Sequence, residues 1–359
     1  MLKRATLALV AGVAAGVLAA PAARADHVRD GGPSLSAAAI ARRDGCERTT
    51  TSVRLTAADP GSYRVAGWLC GPRDPRGGEV QFLLPGFSYN HLYWMGLGID
   101  RLDYIRATTR QGRTTFVIDE LGSGASDHPD PDQVTFTNLA YTVHQLVGEL
   151  RSGGIGRAHT RFRRVIGAGH SMGAGVWMVE AGTYGDVNAV MLADFLHVTD
   201  PDFVNELRAH YIAAATQSRF ATLPAGYLTV LPRSLFYDTG LVNPSVLQRD
   251  EEIGMDTGTT GLTTTLALAR DPKYSQAIAV PVLLVTGRED ALGCNEVTPG
   301  LSCATSQAVL DRELPDYSSA PRVDAFVFDS GHDTNLHNAA PEWFAYANRW
   351  LNSVGRTGR

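Results

Sequence analysis

Lysine is almost missing from this chain: only Lys3 and Lys273 occur, and arginine supplies the other positive charges. No basic cluster stands out and the formal net charge is −5, which disfavours nucleic acid and anionic membrane surfaces as partners. The glycine turn from Asp119 to Ser126 lacks the lysine and the spacing of a phosphate-binding loop, so it is read as a structural bend. Histidine, cysteine and carboxylate residues show no metal-ligand spacing, and neither a metal nor a cofactor is expected. Internal repeats are absent, and so is low-complexity sequence beyond the N-terminus. The apolar run Ala5–Ala20 is short for a bilayer span, so no stable membrane anchor is expected. It follows Lys3 and Arg4 and precedes the small-x-small triplet Ala23-Arg24-Ala25. That is the pattern of an export signal; residues 1–25 are expected to be removed near Ala25 and the mature chain secreted, with a retained anchor as the alternative.

Cysteine is scarce too, with four residues. In an exported chain they invite Cys46–Cys70 and Cys294–Cys303 disulfides, since each pair is close in sequence and lies within one local unit. Four buried thiols are the alternative.

What is present is ample core material: 44% hydrophobic against 19% charged residues over 359 positions. That length fits two domains or one large α/β domain carrying an insertion. After a loose lead-in over 26–45, Thr50–Thr56 and Tyr63–Cys70 alternate around Asp59-Pro60-Gly61 and predict an antiparallel hairpin. Short apolar or β-branched runs then recur at Val80–Leu84, Thr114–Ile118, Arg163–Gly167, Val187–Ala193, Val282–Thr286 and Ala325–Phe328. Helix-compatible segments such as Thr137–Arg151, Ser171–Tyr184 and Pro341–Val354 separate most of them. The alternation predicts an α/β fold: a mostly parallel twisted sheet with an N-terminal antiparallel hairpin and helices on both faces. From His197 to Ala279 the alternation stops, and stretches such as Phe203–Ala215 and Thr263–Ala269 are helix-compatible between prolines. So long a connection is not expected to be bare loop. The expected division is core over 26–196, a mostly helical cap insertion over 197–279, and core again over 280–359. A lateral excursion away from the sheet edge is the alternative to a cap.

The segment Val165-Ile166-Gly167-Ala168-Gly169-His170-Ser171-Met172-Gly173-Ala174-Gly175 places Gly-x-Ser-x-Gly between a strand and a helix. Serine on such a turn holds its hydroxyl at the sheet edge, and glycines permit the tight approach of the backbone. A nucleophilic serine needs a base, and the base an orienting carboxylate. His332 follows the strand ending at Phe328, and Asp290 follows the strand ending at Thr286. The three would gather at one end of a parallel sheet. His91, His128, His170, His197 and His337 compete for the role of base, and Asp194 and Glu289 for that of acid. The oxyanion formed by attack needs two donors: the Met172 amide just after the serine, and the Phe87 amide in Leu84-Pro85-Gly86-Phe87. Tyr89, Asn90, His91 and His170 are candidates to line the pocket, and the aromatic run after Phe87 could equally begin a buried helix.

At these residues the chain resembles the α/β-hydrolase superfamily over nearly its whole mature length. The resemblance rests on Leu84 through Phe87, Asp119 through Ser126, Gly169-His170-Ser171-Met172-Gly173, Gly287 through Asp290, and Gly331-His332. It implies an α/β-hydrolase fold with Ser171 as nucleophile, Asp290 as acid, His332 as base, and the Phe87 and Met172 amides as oxyanion hole. The elbow is similar to that of secreted bacterial lipases and esterases. The expected activity is therefore hydrolysis of carboxylic esters through an acyl-enzyme, on a small, hydrophobic ester-like substrate. An amidase or peptidase, a lactone or acyl-transfer enzyme, and a non-catalytic binding protein on the same fold are the rivals. Oligomeric state is left open by these residues.

Overall fold

The structure, a computed structural model, describes residues 37–43, 45–72 and 78–355. The expected export signal, residues 1–25, lies outside the described residues, as does most of the lead-in. The part of that lead-in that is described forms a short helix, Ala37–Arg43, rather than a loose segment, because Ile40 and Ala41 are buried in the core.

Eleven strands occur among the described residues: β1 Glu47–Val53, β2 Tyr63–Cys70, β3 Glu79–Leu84, β4 Thr114–Ile118, β5 Arg164–His170, β6 Ala189–Ala193, β7 Tyr211–Ala213, β8 Tyr227–Val230, β9 Gly258–Thr259, β10 Val282–Gly287 and β11 Val323–Phe328. Eight of them form one sheet in the order β1-β2-β4-β3-β5-β6-β10-β11. β1/β2 and β2/β4 pair antiparallel, and every pair from β4/β3 to β10/β11 is parallel. Every residue of β3, β4, β6 and β10 is buried, as expected of parallel strands covered by helices on both faces. The edge strand β11 is only partly buried. The first hairpin strand begins three residues earlier than its alternation predicted. Its register pairs Glu47 with Leu69, next to the Cys46–Cys70 disulfide that ties the two strands.

Capping explains the clean helix ends. Thr135 accepts a hydrogen bond from the Asn138 amide to start the helix Phe136–Ser152, and Gly153, at φ 84°, stops it. The helix Met172–Tyr184 is apolar nearly all round and fully covered along its first ten residues, so it is a central, not a surface, helix.

Between β6 and β10 the segment 197–279 carries the helices Pro201–Ala209, Pro244–Arg249, Thr260–Ala269 and Pro272–Ala277. It also holds a second sheet, antiparallel, in the order β7-β8-β9. The helix predicted over Phe203–Ala215 thus ends at Ala209 and gives way to β7. Strands of two to four residues leave too little periodicity to be read locally; β8 supplies the partner that makes the other two strands.

Candidate active site

Ser171 sits at the junction of β5 and the helix Met172–Tyr184, with φ 50° and ψ −123°. A non-glycine residue in that region costs on the order of 1–3 kcal/mol and persists only where its surroundings hold it. They do: the Ser171 amide donates to the Ala193 carbonyl at the end of β6 (2.8 Å), and the Ser171 carbonyl accepts from Ala174 and Gly175. Gly173 lets the turn close, since a Cβ there would run into the Leu84 and Pro85 carbonyls. Gly86 does the same from the other side; its Cβ would lie 2.7 Å from His170 Nδ1 and 3.1 Å from Ser171 Cβ. The loop after β3 and the serine turn are therefore in direct contact.

His332 Nε2 lies 2.9 Å from Ser171 Oγ, and His332 Nδ1 lies 3.0 Å from Asp290 Oδ1. All three follow parallel strands, β5, β10 and β11, and meet at the carboxyl end of the sheet. Asp290 is 1% exposed, and its Oδ1 also accepts the Leu292 amide at 3.0 Å. The loop that follows it is closed by the Cys294–Cys303 disulfide. Burial pulls the His332 imidazole down, but Asp290 beside it, then Asp194 and Asp333, outweigh burial and push it up to about 9. Serine, imidazole and carboxylate thus form a continuous hydrogen-bonded relay.

Met172 follows this serine directly, and Phe87 lies in the loop after β3 that touches the serine turn. Met172 opens its helix and so has no intrahelical acceptor. Phe87 donates to no loop or turn carbonyl among the described residues. Both residues line a cavity of about 300 Å³ that also contains Ser171 and His332. Its far wall comes from segment 197–279, through Val204, Leu207, Tyr211, Phe236 and Leu266.

The sequence profile of the Alpha/beta hydrolase family matches residues 81–347. The chain belongs to the alpha/beta hydrolase family. Solved structures agree in fold. Bromoperoxidase from Bacillus anthracis is 16% identical with a TM-score of 0.56, covering 85% of this chain and 100% of that one. The esterase Pf2001 of Pyrococcus furiosus is 14% identical at TM-score 0.51, covering 87% and 94%. A putative aryl esterase from Burkholderia cenocepacia is 15% identical at TM-score 0.51, covering 85% and 99%. Comparison with curated protein sequences gives no match.

On this hydrolase fold His332 is the histidine that bonds Ser171; His128 lies beside the Tyr227 ring at 5.3 Å, and the other four competitors bond other groups. His91 stacks on Trp68 at 3.5 Å and bonds Asp119 through Nδ1. His197 bonds Glu313 and Ser275. His337 donates from Nδ1 to the Asp333 carbonyl and accepts at Nε2 from the Gly331 and Asp238 amides. That pattern needs a neutral ring, and burial holds it so, down to about 4. His337 clamps the loop that carries His332. His170 is also kept neutral by burial and by the neighbouring His332; it stacks on Tyr93 at 4.3 Å and bonds the His332 carbonyl at 2.9 Å.

Among the carboxylates, Glu289 is exposed. Asp194 lies close enough for its oxygens to sit within 4.8 Å of Asp290 and His332 ligand atoms, but its hydrogen bond is to the Gly287 amide. Burial, reinforced by Asp290, pushes Asp194 well above the usual carboxylate range. A second cluster of potential ligands, His144, Glu180 and Asp186, also falls within 4.8 Å; His144 and Asp186 bond each other at 2.7 Å, and none of the three lines the cavity.

Two of the expected pocket residues do not line the cavity. Asn90 bonds Asp256 and caps the Leu92 amide, and His91 is held by Asp119 and Trp68. Both side chains are buried away from the cavity. Tyr89 and His170 do line the cavity. Behind Tyr89 lies a buried network with no local signature in the sequence. Arg233 pairs with Asp250 at 3.1 Å, both side chains wholly buried. The Tyr89 hydroxyl donates to Asp250 at 2.7 Å and bonds Asp333; Tyr237 donates to Asp250 at 2.9 Å; Arg233 donates to Ser88 at 2.7 Å. Burial, then Asp250, push the Asp333 carboxyl up to about 7. The network joins segment 197–279 to the loops that carry Phe87 and His332.

Proposed function

We propose that the protein is an exported serine hydrolase that cleaves carboxylic esters, with Ser171 as nucleophile, His332 as general base and acid, and Asp290 as the group orienting His332. The observation that carries this is the relay Ser171–His332–Asp290, at 2.9 and 3.0 Å, whose Ser171 and His332 line the cavity. His332 Nε2 takes the Ser171 proton as Oγ attacks the ester carbonyl, and the carbonyl oxygen takes up the negative charge facing the Phe87 and Met172 amides. The protonated imidazole, stabilised by Asp290, then gives its proton to the departing alkoxide, leaving an acyl-serine. Water surrenders a proton to the same nitrogen, attacks the acyl carbon, and releases the carboxylic acid while Ser171 regains its proton.

The largely apolar wall contributed by residues 197–279 supports that segment as a cap over the site and supports a hydrophobic acyl or alcohol group. The two disulfides support an oxidising destination, and no described helix is long and apolar enough to cross a membrane. The test is fluorophosphonate labelling followed by peptide mapping, together with turnover of p-nitrophenyl esters of graded chain length. Label is expected on Ser171 alone, and Ser171→Ala should lose both label and turnover. Label on another residue, or unchanged turnover by that variant, would overturn the assignment.

A further inference from the structure

Two arginines stand in the otherwise apolar wall over Ser171. Arg208 and Arg270 both line the cavity, and they come from different helices of segment 197–279. Val204, Leu207 and Arg208 present one face of the helix Pro201–Ala209, at spacings of i, i+3 and i+4. Arg270 is the C-cap of the helix Thr260–Ala269. Each cation therefore sits at a helix C-terminus, where unpaired carbonyls favour it.

Neither guanidinium is ion-paired to a carboxylate among the described residues. Arg270 is aimed rather than loose. Its Nε–H donates to the Leu196 carbonyl at 3.0 Å and its guanidinium lies 4.5 Å over the Phe195 ring. This leaves its terminal nitrogens with no protein acceptor among the described residues. Tyr211 completes the group. Its ring lies 5.2 Å from that of Phe87, it lines the same cavity, and its hydroxyl has no hydrogen-bond partner among the described residues. Both arginines act on that hydroxyl electrostatically, so the three donors share one neighbourhood. The cavity's own acid, Asp333, is engaged with Tyr89, and Asp290 with His332. Arg208 is exposed and Arg270 half-buried; Asp290, Tyr211 and Glu313 act on Arg270 electrostatically, but burial is the larger influence and pulls it down to about 10, a cost that a bound carboxylate would offset. Planar guanidinium pairs match a carboxylate in geometry as well as charge.

We propose that the site takes esters that themselves carry a carboxylate, with Arg208, Arg270 and the Tyr211 hydroxyl receiving that carboxylate while Ser171 addresses the ester carbonyl. This rests on the serine-hydrolase assignment above.

The test compares kcat/KM within matched pairs. One pair carries the charge on the acyl side, mono-p-nitrophenyl glutarate against p-nitrophenyl pentanoate. The other carries it on the alcohol side, 4-(butanoyloxy)benzoate against phenyl butanoate. In at least one pair the anionic member is expected to be favoured, and Arg208→Gln, at an exposed position, should lower that anionic-to-neutral ratio by about 10- to 100-fold, the usual effect of removing a charge-assisted bond. Arg270→Gln should do the same and Arg270→Lys should restore part of it. Calorimetric titration with glutarate reads the anion site without turnover: it should bind the wild type and bind each glutamine variant at least tenfold more weakly. Neutral members preferred in both pairs, or ratios unmoved by Arg208→Gln, overturn the proposal. If no ester turns over and Ser171 takes no label, the hydrolase assignment fails separately, and glutarate binding that depends on the arginines still decides the anion site.

Discussion

Replacing Asp290 with asparagine should reverse the direction in which the protein perturbs His332. In the native site burial lowers the imidazole, and Asp290, then Asp194 and Asp333, raise it to about 9. Asparagine keeps an oxygen for the Leu292 amide but carries no charge. With the largest upward influence gone, burial prevails, and the ring is expected to fall below its ordinary 6.5. A fall from about 9 to below 6.5 is worth about 3 kcal/mol or more, at about 1.4 kcal/mol per pH unit. The assay is the pH dependence of kcat/KM on a p-nitrophenyl ester, run beside the rate of fluorophosphonate labelling. The base works only when deprotonated, so the wild type should gain activity as pH rises through about 9. Asp290→Asn should shift that limb to below pH 6.5 while the plateau drops by roughly 10³- to 10⁴-fold, because the imidazole tautomer is no longer held. Asp194→Asn should move the limb far less, since Asp194 bonds the Gly287 amide and not the ring. A limb unmoved in Asp290→Asn but displaced in Asp194→Asn would refute the reasoning.

Other expectations follow from the same groups. His332 at about 9, Glu120 at about 8 and Asp333 at about 7 are all raised, the two acids chiefly by burial. The folded form therefore holds more protons than the unfolded chain, and urea unfolding should show stability falling between about pH 5 and 9, with a shallower slope in Glu120→Gln. Arg233→Met, which strands Asp250 in the interior, should cost about 3–5 kcal/mol in the same assay; the double variant with Asp250→Leu should be more stable than the single, and equal or lower stability would argue against a buried charge penalty. Replacing Cys294 and Cys303 by serine opens a link spanning nine positions and should cost about 3 kcal/mol by the loop-entropy relation, read as a lower thermal midpoint together with weaker activity from the loosened Asp290 loop.

Much of this molecule could be read along the chain because its signals are local. Strands such as Val282–Gly287 are continuous apolar runs ended by glycine, and the serine turn, the Asp290 turn and the His332 turn each follow such a run directly. Once the sheet is parallel, residues placed just past strand ends must meet at one edge, whatever their separation in sequence. Folding alone decided the rest. Asp290 rather than Asp194 bonds His332 because β10 lies between β6 and β11, a fact of strand order that no single stretch encodes. Asn90 and His91 turn inward because Asp256, Asp119 and Trp68 wait for them from distant parts of the chain. The short sheet β7-β8-β9, the Arg233–Asp250 pair and the convergence of Arg208 with Arg270 arise from contacts between segments far apart in sequence, and only three-dimensional proximity gives those residues their chemistry.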